Sequence, residues 1–413
     1  MKVLHVSTFD KGGAAIAAVR LHRGLLAEDV DSTLLSLEQF KPEIPNSVSF
    51  GGMSSKNRLL YKFGLKDNVF YRNQAKLNGR TSTEDFSFPR TEFDITRHPY
   101  YRRADVVHFH WVARFLDYPR FFRKNRKPLV WTLHDMNPFT GGCHYAEACS
   151  GYRMQCDHCP ILIGAADEQA AHENLKIKVN ALNNPSTPIT IVSPSQWLMQ
   201  ASQQSTLFSK LSHHCIPYGL DTNVFTPREK LAARDALGLP HNKKVLLFVS
   251  DALGARRKGF DLLAGALQHL PNRNDFVLCA VGEKNAEQVL PEVVYTGTIR
   301  DEVSMSQAYS AADLFVIPSR EDNFPNTVLE AVACGTPVLS FKRGGMPDVI
   351  RPGINGILVE DVNEKAFAEA LERFLSGDYG FSVEKIRQFA VEKYDQSVQA
   401  QRYQQLYREI LAS

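Results

Sequence analysis

The sequence lacks any apolar run long enough to cross a bilayer. A span needs about 20 consecutive apolar residues; the apolar runs here, such as Val245–Val249 and Leu314–Ile317, have the length of strands. The opening stretch MKVLHVSTFD meets Asp10 and Lys11 before any long apolar region, so a secretory signal is not expected and the chain is read as cytoplasmic. Charge of one sign is missing too: 48 basic and 45 acidic residues leave a net +3, too little for a nucleic-acid footprint over the whole protein. Cysteine is sparse and odd in number, seven in 413 residues, which argues against a disulfide framework. There is no short-period repeat and no low-complexity tract. The remainder is ordinary for a globular chain, 44% apolar and 23% charged, which excludes a disordered chain, a collagen-like fibre and a coiled coil. At roughly 100 to 200 residues per domain, two domains are expected.

The pattern along the chain is that of alternating strands and helices. Residues 2–6 (KVLHV) are a strand candidate, followed by Gly12-Gly13 and an Ala-rich helical run from Ala14 to Ala27. Further strands are expected at 33–37, 105–109, 129–133 and 189–192, with a helical stretch at 113–126 and Ser195 as a helix N-cap. The segment 216–227, IPYGLDTNVFTP, reads as a linker. Beyond it the alternation restarts, with strands at 244–250, 276–281, 313–317 and 337–340 and helices at 259–270, 301–311 and 326–334. Short continuous apolar strands separated by helices argue for parallel sheets buried on both faces. Two such α/β halves place the natural ligand site in the cleft between them.

The sharpest signal is IPSREDNFPNTVLEAVACGTPVLSFKRGGMPDVI, residues 317–350. Its first part follows a strand, so Pro318–Pro325 sits at the carboxyl edge of the sheet, where ligands bind in such folds. Asn326 can cap a helix whose free N–H groups suit a phosphate or a sugar hydroxyl. Asp322 and Glu330, with seven residues between them, flank that loop and helix; two acids so placed could reach different hydroxyls of one ligand, or simply be a solvated loop acid and a surface Glu. A lysine on a glycine turn after a strand, Lys258-Gly259, suits a diphosphate. WTLHD (131–135) presents His134 at a strand's carboxyl edge, and VHFHW (107–111) puts His108 and His110 on one face. Cys143, Cys149, Cys156 and Cys159, spaced by five, six and two residues, place four thiols within 17 residues. They could close a tetrahedral structural zinc site, with His144 and His158 as alternative ligands, or be free or paired thiols stabilising a long loop.

Residues 317–350 closely resemble the signature of the retaining glycosyltransferases of family 4, which have the GT-B fold. EAVACGTPV (330–338) matches the family's second acid and its A-x-A-x-G-x-P-V run; the first acid is Asp322 rather than Glu, with Glu321 one register off. IPYGLDTNVF (216–225) resembles the interdomain segment, with Tyr218 in place of Asn, and KGFDLL (258–263) resembles the element whose Lys binds the donor diphosphate. An Arg usually precedes that Lys; Arg256 or Arg257 would have to serve, and Arg257 is taken as the candidate. YTGTIRDEVSMSQAYSAADLFVIPS (295–319) resembles the segment that meets the base, placing Thr298 and Ile299 there. Gly12 and Gly13 resemble the glycine loop at the donor phosphates and acceptor, His134 the histidine that faces the donor sugar, and His110 lies toward the acceptor. The HD…TGGCHY…C…CxxCP pattern is similar to that of enzymes building bacterial exopolysaccharides of the colanic-acid type.

The resemblance implies an α/β chain of GT-B fold, two Rossmann-like doubly wound domains facing across a cleft. The acceptor-binding domain is expected over 1–217 with 396–413 returning to it, and the donor-binding domain over 218–395. The implied activity is transfer of a sugar with retention from a UDP- or GDP-linked nucleotide sugar to a glycan or lipid-linked acceptor, in bacterial polysaccharide biosynthesis. In this reading Glu330 binds the ribose hydroxyls, and Lys258 neutralises the leaving diphosphate. Asp322, with the main chain of Asn323, Phe324, Pro325 and Asn326, holds sugar and phosphate. No metal is required for catalysis, and no nucleic acid is bound. Two basic stretches with aromatics, 56–66 and 120–127, could rest on an anionic membrane or be solvated helix faces. Three rivals have their own signatures. A dinucleotide-dependent oxidoreductase should show G-x-G-x-x-G where GGAAIA stands. A zinc-dependent nucleic-acid-binding protein should be more basic. A degenerate GT-B-like binding protein would lack some of Lys258, His134, Asp322 and Glu330.

Overall fold

The computed structural model describes residues 1–51, 68–252, 256–283 and 293–412, and its contacts divide the chain into two compact units, Met1–Ile216 with Gln399–Ser413, and Pro217–Val398. The basic stretch 56–66 lies outside the described residues.

The first unit is a seven-stranded sheet, all parallel, ordered β3-β2-β1-β4-β5-β6-β7. The strands are β1 (Lys2–Phe9), β2 (Asp31–Glu38), β3 (Ser47–Ser49), β4 (Val106–Phe109), β5 (Leu129–Thr132), β6 (Ile189–Ser193) and β7 (Ser212–Cys215). Every residue of β4, β5 and β6 is buried, as their largely apolar composition requires of strands covered on both faces. The glycine loop after β1 leads into α1 (Gly13–Ala27). The helix expected over 113–126 is confined to α2 (Tyr118–Lys124), capped by Asp117 through Arg120 N. Before it, Arg114 has φ 67° and Thr8 Oγ1 donates to the Ala113 carbonyl at 2.6 Å, so the tertiary fold overrides the local helical pattern. Later come α3 (Ala170–Leu182) and α4 (Gln196–Gln203), the latter capped by Ser195, whose Oγ accepts from Leu198 N. In the stretch 120–127, Phe121 and Phe122 are buried in the core, Lys124 pairs with Asp94 at 2.6 Å and Arg120 donates to the carbonyls of Glu92 and Phe93. Its aromatics therefore belong to the interior and offer nothing to a membrane surface.

The second unit is a six-stranded parallel sheet ordered β10-β9-β8-β11-β12-β13. Its strands are β8 (Lys244–Ala252), β9 (Phe276–Glu283), β10 (Val293–Gly297), β11 (Leu314–Ile317), β12 (Val338–Phe341) and β13 (Gly356–Val359). Among its helices are α5 (Phe260–Gln268), α6 (Glu302–Ala311) and α7 (Asn326–Ala333). The chain ends in α8 (Gln396–Ala412), whose Ala400, Tyr403, Leu406 and Tyr407 join a buried cluster of the first unit with Val106, Val130 and Ile216. In both sheets the strand order reverses direction beside the first strand, between β1 and β4 and between β8 and β11. Such a switch point leaves a crevice at the carboxyl ends of the strands.

Candidate functional site

In the second unit the switch point is occupied by two loops. One runs from β8 to α5 and carries Arg257, Lys258 and Gly259; the other runs from β11 to α7 and carries Pro318–Pro325. They are tied together closely. Gly259 has φ +71°, and a Cβ there would stand 2.0 Å from the Pro318 carbonyl oxygen; only glycine permits that approach in that conformation. Arg320 N donates to the Arg257 carbonyl at 2.9 Å, and the Arg320 guanidinium forks onto Asp261 at 2.8 and 2.6 Å.

The acids are buried rather than solvated. Asp322 is 6% exposed, and its Oδ2 receives Lys258 Nζ at 2.6 Å and Arg257 Nη1 at 3.3 Å. Burial alone would raise its pKa, but the cations of Lys258 and Arg257 outweigh burial and hold the carboxyl below its ordinary value. Its other oxygen accepts from Asn323 N at 3.0 Å. The neighbouring Glu321 is half-buried and contributes its carbonyl to Arg257 at 2.8 Å, so Asp322, not Glu321, meets the lysine. Of the two arginines that could partner Lys258, Arg257 stands beside Asp322, while Arg256 is exposed and its carbonyl accepts from Arg320.

Asn326 does not cap α7. It is the first helical residue; Pro325 occupies the cap position and makes no side-chain cap bond, and the opening N–H groups of α7 follow directly on the loop. Phe324 packs its ring against Tyr218 and Tyr394, which leaves its main chain to the site. Asn323 is buried. Glu330, one turn into α7, is 7% exposed and accepts from Tyr309 of α6 at 2.9 Å. Tyr309 thereby orients the carboxylate, a role no sequence motif announced. Thr298 and Ile299 follow β10, the first exposed and the second half-buried.

The first unit gathers a different set at its own switch point. Gly12 has φ +87° and stands at the N-cap position of α1, whose opening N–H groups follow it. Parallel register puts His5 of β1 beside His108 of β4, and the next loop residues carry His110 and His134. His5 Nδ1 lies 2.9 Å from His110 Nε2, and His110 Nδ1 lies 3.1 Å from His134 Nε2, an unbroken relay from the core to the strand edge. Burial drives the pKa of His134 down to about 4, against a weaker pull from Asp135, and drives His5, His108 and His110 well below the usual histidine range. All are neutral at pH 7, so each carries one N–H.

His5 Nε2 is buried and makes no hydrogen bond, and an orphaned lone pair is tolerated better than an orphaned N–H. The network is therefore assigned with His5 Nδ1–H donating to His110, His110 Nδ1–H donating to His134, and the His134 proton on Nδ1. His108 bonds Tyr407 OH at 2.6 Å and Thr132 Oγ1 at 2.7 Å; it anchors α8. His5, His108 and His110 each bring a nitrogen within 4.8 Å of the others, but both nitrogens of His108 and of His110 are already bonded, which argues against a metal there. Asp135, next to His134, accepts from Trp111 Nε1 at 2.8 Å and Asn137 N at 2.9 Å and bonds His144 Nδ1 at 2.6 Å. A cavity of about 450 Å³ opens beside the ends of β1 and β2, lined among others by Phe9, Phe70, Tyr71, Phe88, Arg90 and Glu92.

Residues 243–377 match the family model described as "Glycosyl transferases group 1". A D-inositol 3-phosphate glycosyltransferase of Catenulispora acidiphila is 32% identical over 293 residues, covering 66% of this chain and 64% of that protein. Another bearing that name, from Xylanimonas cellulosilytica, is 32% identical over 182 residues, covering 40% of this chain and 43% of that protein. The matched region thus spans between about a third and two thirds of the first curated relatives' length. Among solved structures, sucrose-phosphate synthase from Thermosynechococcus elongatus superposes with a TM-score of 0.67 at 19% identity over 100% of both chains. HepE of Anabaena in complex with UDP and glucose gives 0.66 at 17% identity over 98% of this chain and 99% of its own. The chain therefore has the GT-B fold, and its segment 243–377 matches the glycosyl transferases group 1 family.

Proposed function

We propose that the protein is a retaining glycosyltransferase that moves a sugar from a UDP- or GDP-linked donor to a glycan or lipid-linked acceptor in bacterial polysaccharide biosynthesis. One observation carries the reading: a buried carboxylate, Asp322, holds Lys258 and Arg257 at the switch point of the second sheet, beside the opening N–H groups of α7. Two fixed cations and a helix N-terminus make a diphosphate site. The relatives' names support the same class: HepE is described in complex with UDP and with UDP-glucose, and WaaG as a glycosyltransferase of lipopolysaccharide biosynthesis.

In this reading the acceptor oxygen forms a bond to the anomeric carbon as the bond from that carbon to the diphosphate breaks. The departing phosphate takes the acceptor's proton, and attack and departure share one face. Charge develops on the diphosphate, where Lys258 and Arg257 are already held by Asp322, so little reorganisation accompanies the reaction. Asp322 acts on the donor through these cations rather than by touching the sugar. Glu330, oriented by Tyr309, accepts from the ribose hydroxyls, and Ile299 with Thr298 meets the base. His134, neutral at pH 7, faces the donor sugar, as the resemblance implies. The aromatic-lined cavity beside β1 and β2 suits an acceptor whose sugar faces stack on rings.

The test is thermal unfolding of wild type and Glu330→Ala with UDP, GDP, ADP and CMP, followed by donor turnover. A nucleotide at 100 times its Kd stabilises by about 2.7 kcal/mol, so one diphosphate should raise the melting temperature of wild type and not of the variant. No shift with any nucleotide at millimolar concentration refutes the reading. A shift without transfer or donor hydrolysis makes the chain a binding protein.

A further inference from the structure

We infer that Cys143, Cys149, Cys156 and Cys159 bind one zinc ion as a structural site, with Lys178 as its buried counter-ion. All four thiols line a single cavity of about 10 Å³, the room of one water-sized centre. Main-chain N–H groups already point at the sulfurs: Gly141 N donates to Cys156 Sγ at 3.3 Å and Gly151 N to Cys149 Sγ at 3.4 Å. Donors to sulfur are the partners that a thiolate, more than a thiol, requires.

Lys178 is the second, independent observation. Its ammonium is 1% exposed and donates to the carbonyls of Asn137 and Thr140, at 2.5 and 2.9 Å, with the Tyr118 ring 5.1 Å away. No carboxylate is bonded to it among the described residues. An ammonium buried with only neutral partners is costly, and the groups within electrostatic reach are Cys143, Cys156 and Asp135. Asp135 gives its oxygens to His144, Trp111 and Asn137 and none to the ammonium, so the cysteines are the groups that could bring further balancing charge. Four thiols that bind one Zn2+ as thiolates, releasing their four protons to solvent, make a shell of net charge −2 beside that lysine.

The alternative ligands narrow accordingly. His144 has both ring nitrogens bonded, to Asp135 and Ser87, and His158 is exposed and does not line the cavity. No three of the sulfurs lie within 4.8 Å of one another, so ligation draws them in through side-chain rotation, toward the roughly 2.3 Å Zn–S distance. The consequence is local: the loop 143–159 that the ion would close is entered through Asn137 and Thr140, whose carbonyls Lys178 holds and which follow His134-Asp135.

The experiment uses the full chain purified without chelator. Elemental analysis should find about one zinc per chain. Native alkylation read by mass spectrometry should spare the four cysteines until a strong chelator removes the metal. Cobalt exchanged into the site should give thiolate charge-transfer absorption and tetrahedral d–d bands. Cys156→Ser/Cys159→Ser should lose the zinc. Lys178→Gln, which leaves every ligand in place, should weaken zinc binding roughly 10–100-fold, the usual effect of removing a supporting partner. Wild-type protein with no zinc that takes up none on titration, disulfides among the four cysteines, or a bound zinc unaffected by the double variant would each overturn the assignment.

Discussion

The buried histidines make the first unit acid-labile well above the carboxylate range. His134 titrates near 4 in the folded protein and near 6.5 in an unfolded chain. Between those values the unfolded state binds the extra proton, so stability is full above pH 6.5 and falls as the pH drops toward 4. For His134 alone the loss between pH 7.5 and 5 is about 2 kcal/mol. His5, His108 and His110 shift in the same direction, so that figure is a floor for the unit. The sequence supplies a clean probe, because its three tryptophans, Trp111, Trp131 and Trp197, all lie in the first unit. In urea, with an m-value of about 2 kcal/mol/M, the tryptophan-detected midpoint should fall by about 1 M or more from pH 7.5 to 5. His134→Gln should show a smaller fall. An unchanged wild-type midpoint over that range would refute the claim that these imidazoles are buried and neutral.

The relay makes a spectroscopic prediction: 15N–1H correlation spectra should show His134 protonated on Nδ1, and His5→Leu, which removes the first donor, should let both tautomers appear. Tyr309→Phe deprives the buried Glu330 of a donor and should weaken nucleotide binding by about 1–2 kcal/mol, roughly tenfold in Kd measured by calorimetry. Gly259→Ala forces a Cβ into the Pro318 carbonyl at positive φ; it should cost at least about 1–2 kcal/mol in unfolding experiments and loosen the Lys258 turn, raising the donor KM more than it lowers kcat. Lys258→Met leaves Asp322 with Arg257 alone and should reduce turnover at least tenfold while the fold, monitored by circular dichroism, persists.

The architecture was legible because parallel strands buried on both faces announce themselves as short, largely apolar runs. VVHF, LVWT and LFVI needed no further context. Ser212–Cys215 and Ser47–Ser49 are edge strands, polar and short, and nothing in their composition separates them from loop. The helix expected over 113–126 shrank to Tyr118–Lys124 because the chain at Ala113–Arg114 is pinned by Thr8 and turned at positive φ, a constraint that comes from a strand more than 100 residues away. The candidate acids were visible from spacing, yet their burial, which separates a site from a solvated loop, depends on Lys258 and Tyr309 arriving from other elements.

What the sequence hid most thoroughly was His5. On β1 it reads as one polar residue interrupting an apolar strand, and its meaning appears only in the register with His108 and the relay to His134. The same holds for Lys178, an ordinary helical lysine by pattern that is buried against two carbonyls. Each buried polar group is stable only if the fold supplies its partners, so such groups are costly to keep by chance. One partnered set of them, His110, His134, Asp135 and His144, gathers at the carboxyl ends of β4 and β5, and Lys178 holds the loop that follows. The mutual partnering of that set is an argument that this edge of the first sheet, like the loops carrying Lys258 and Asp322 in the second unit, is held in shape for a ligand.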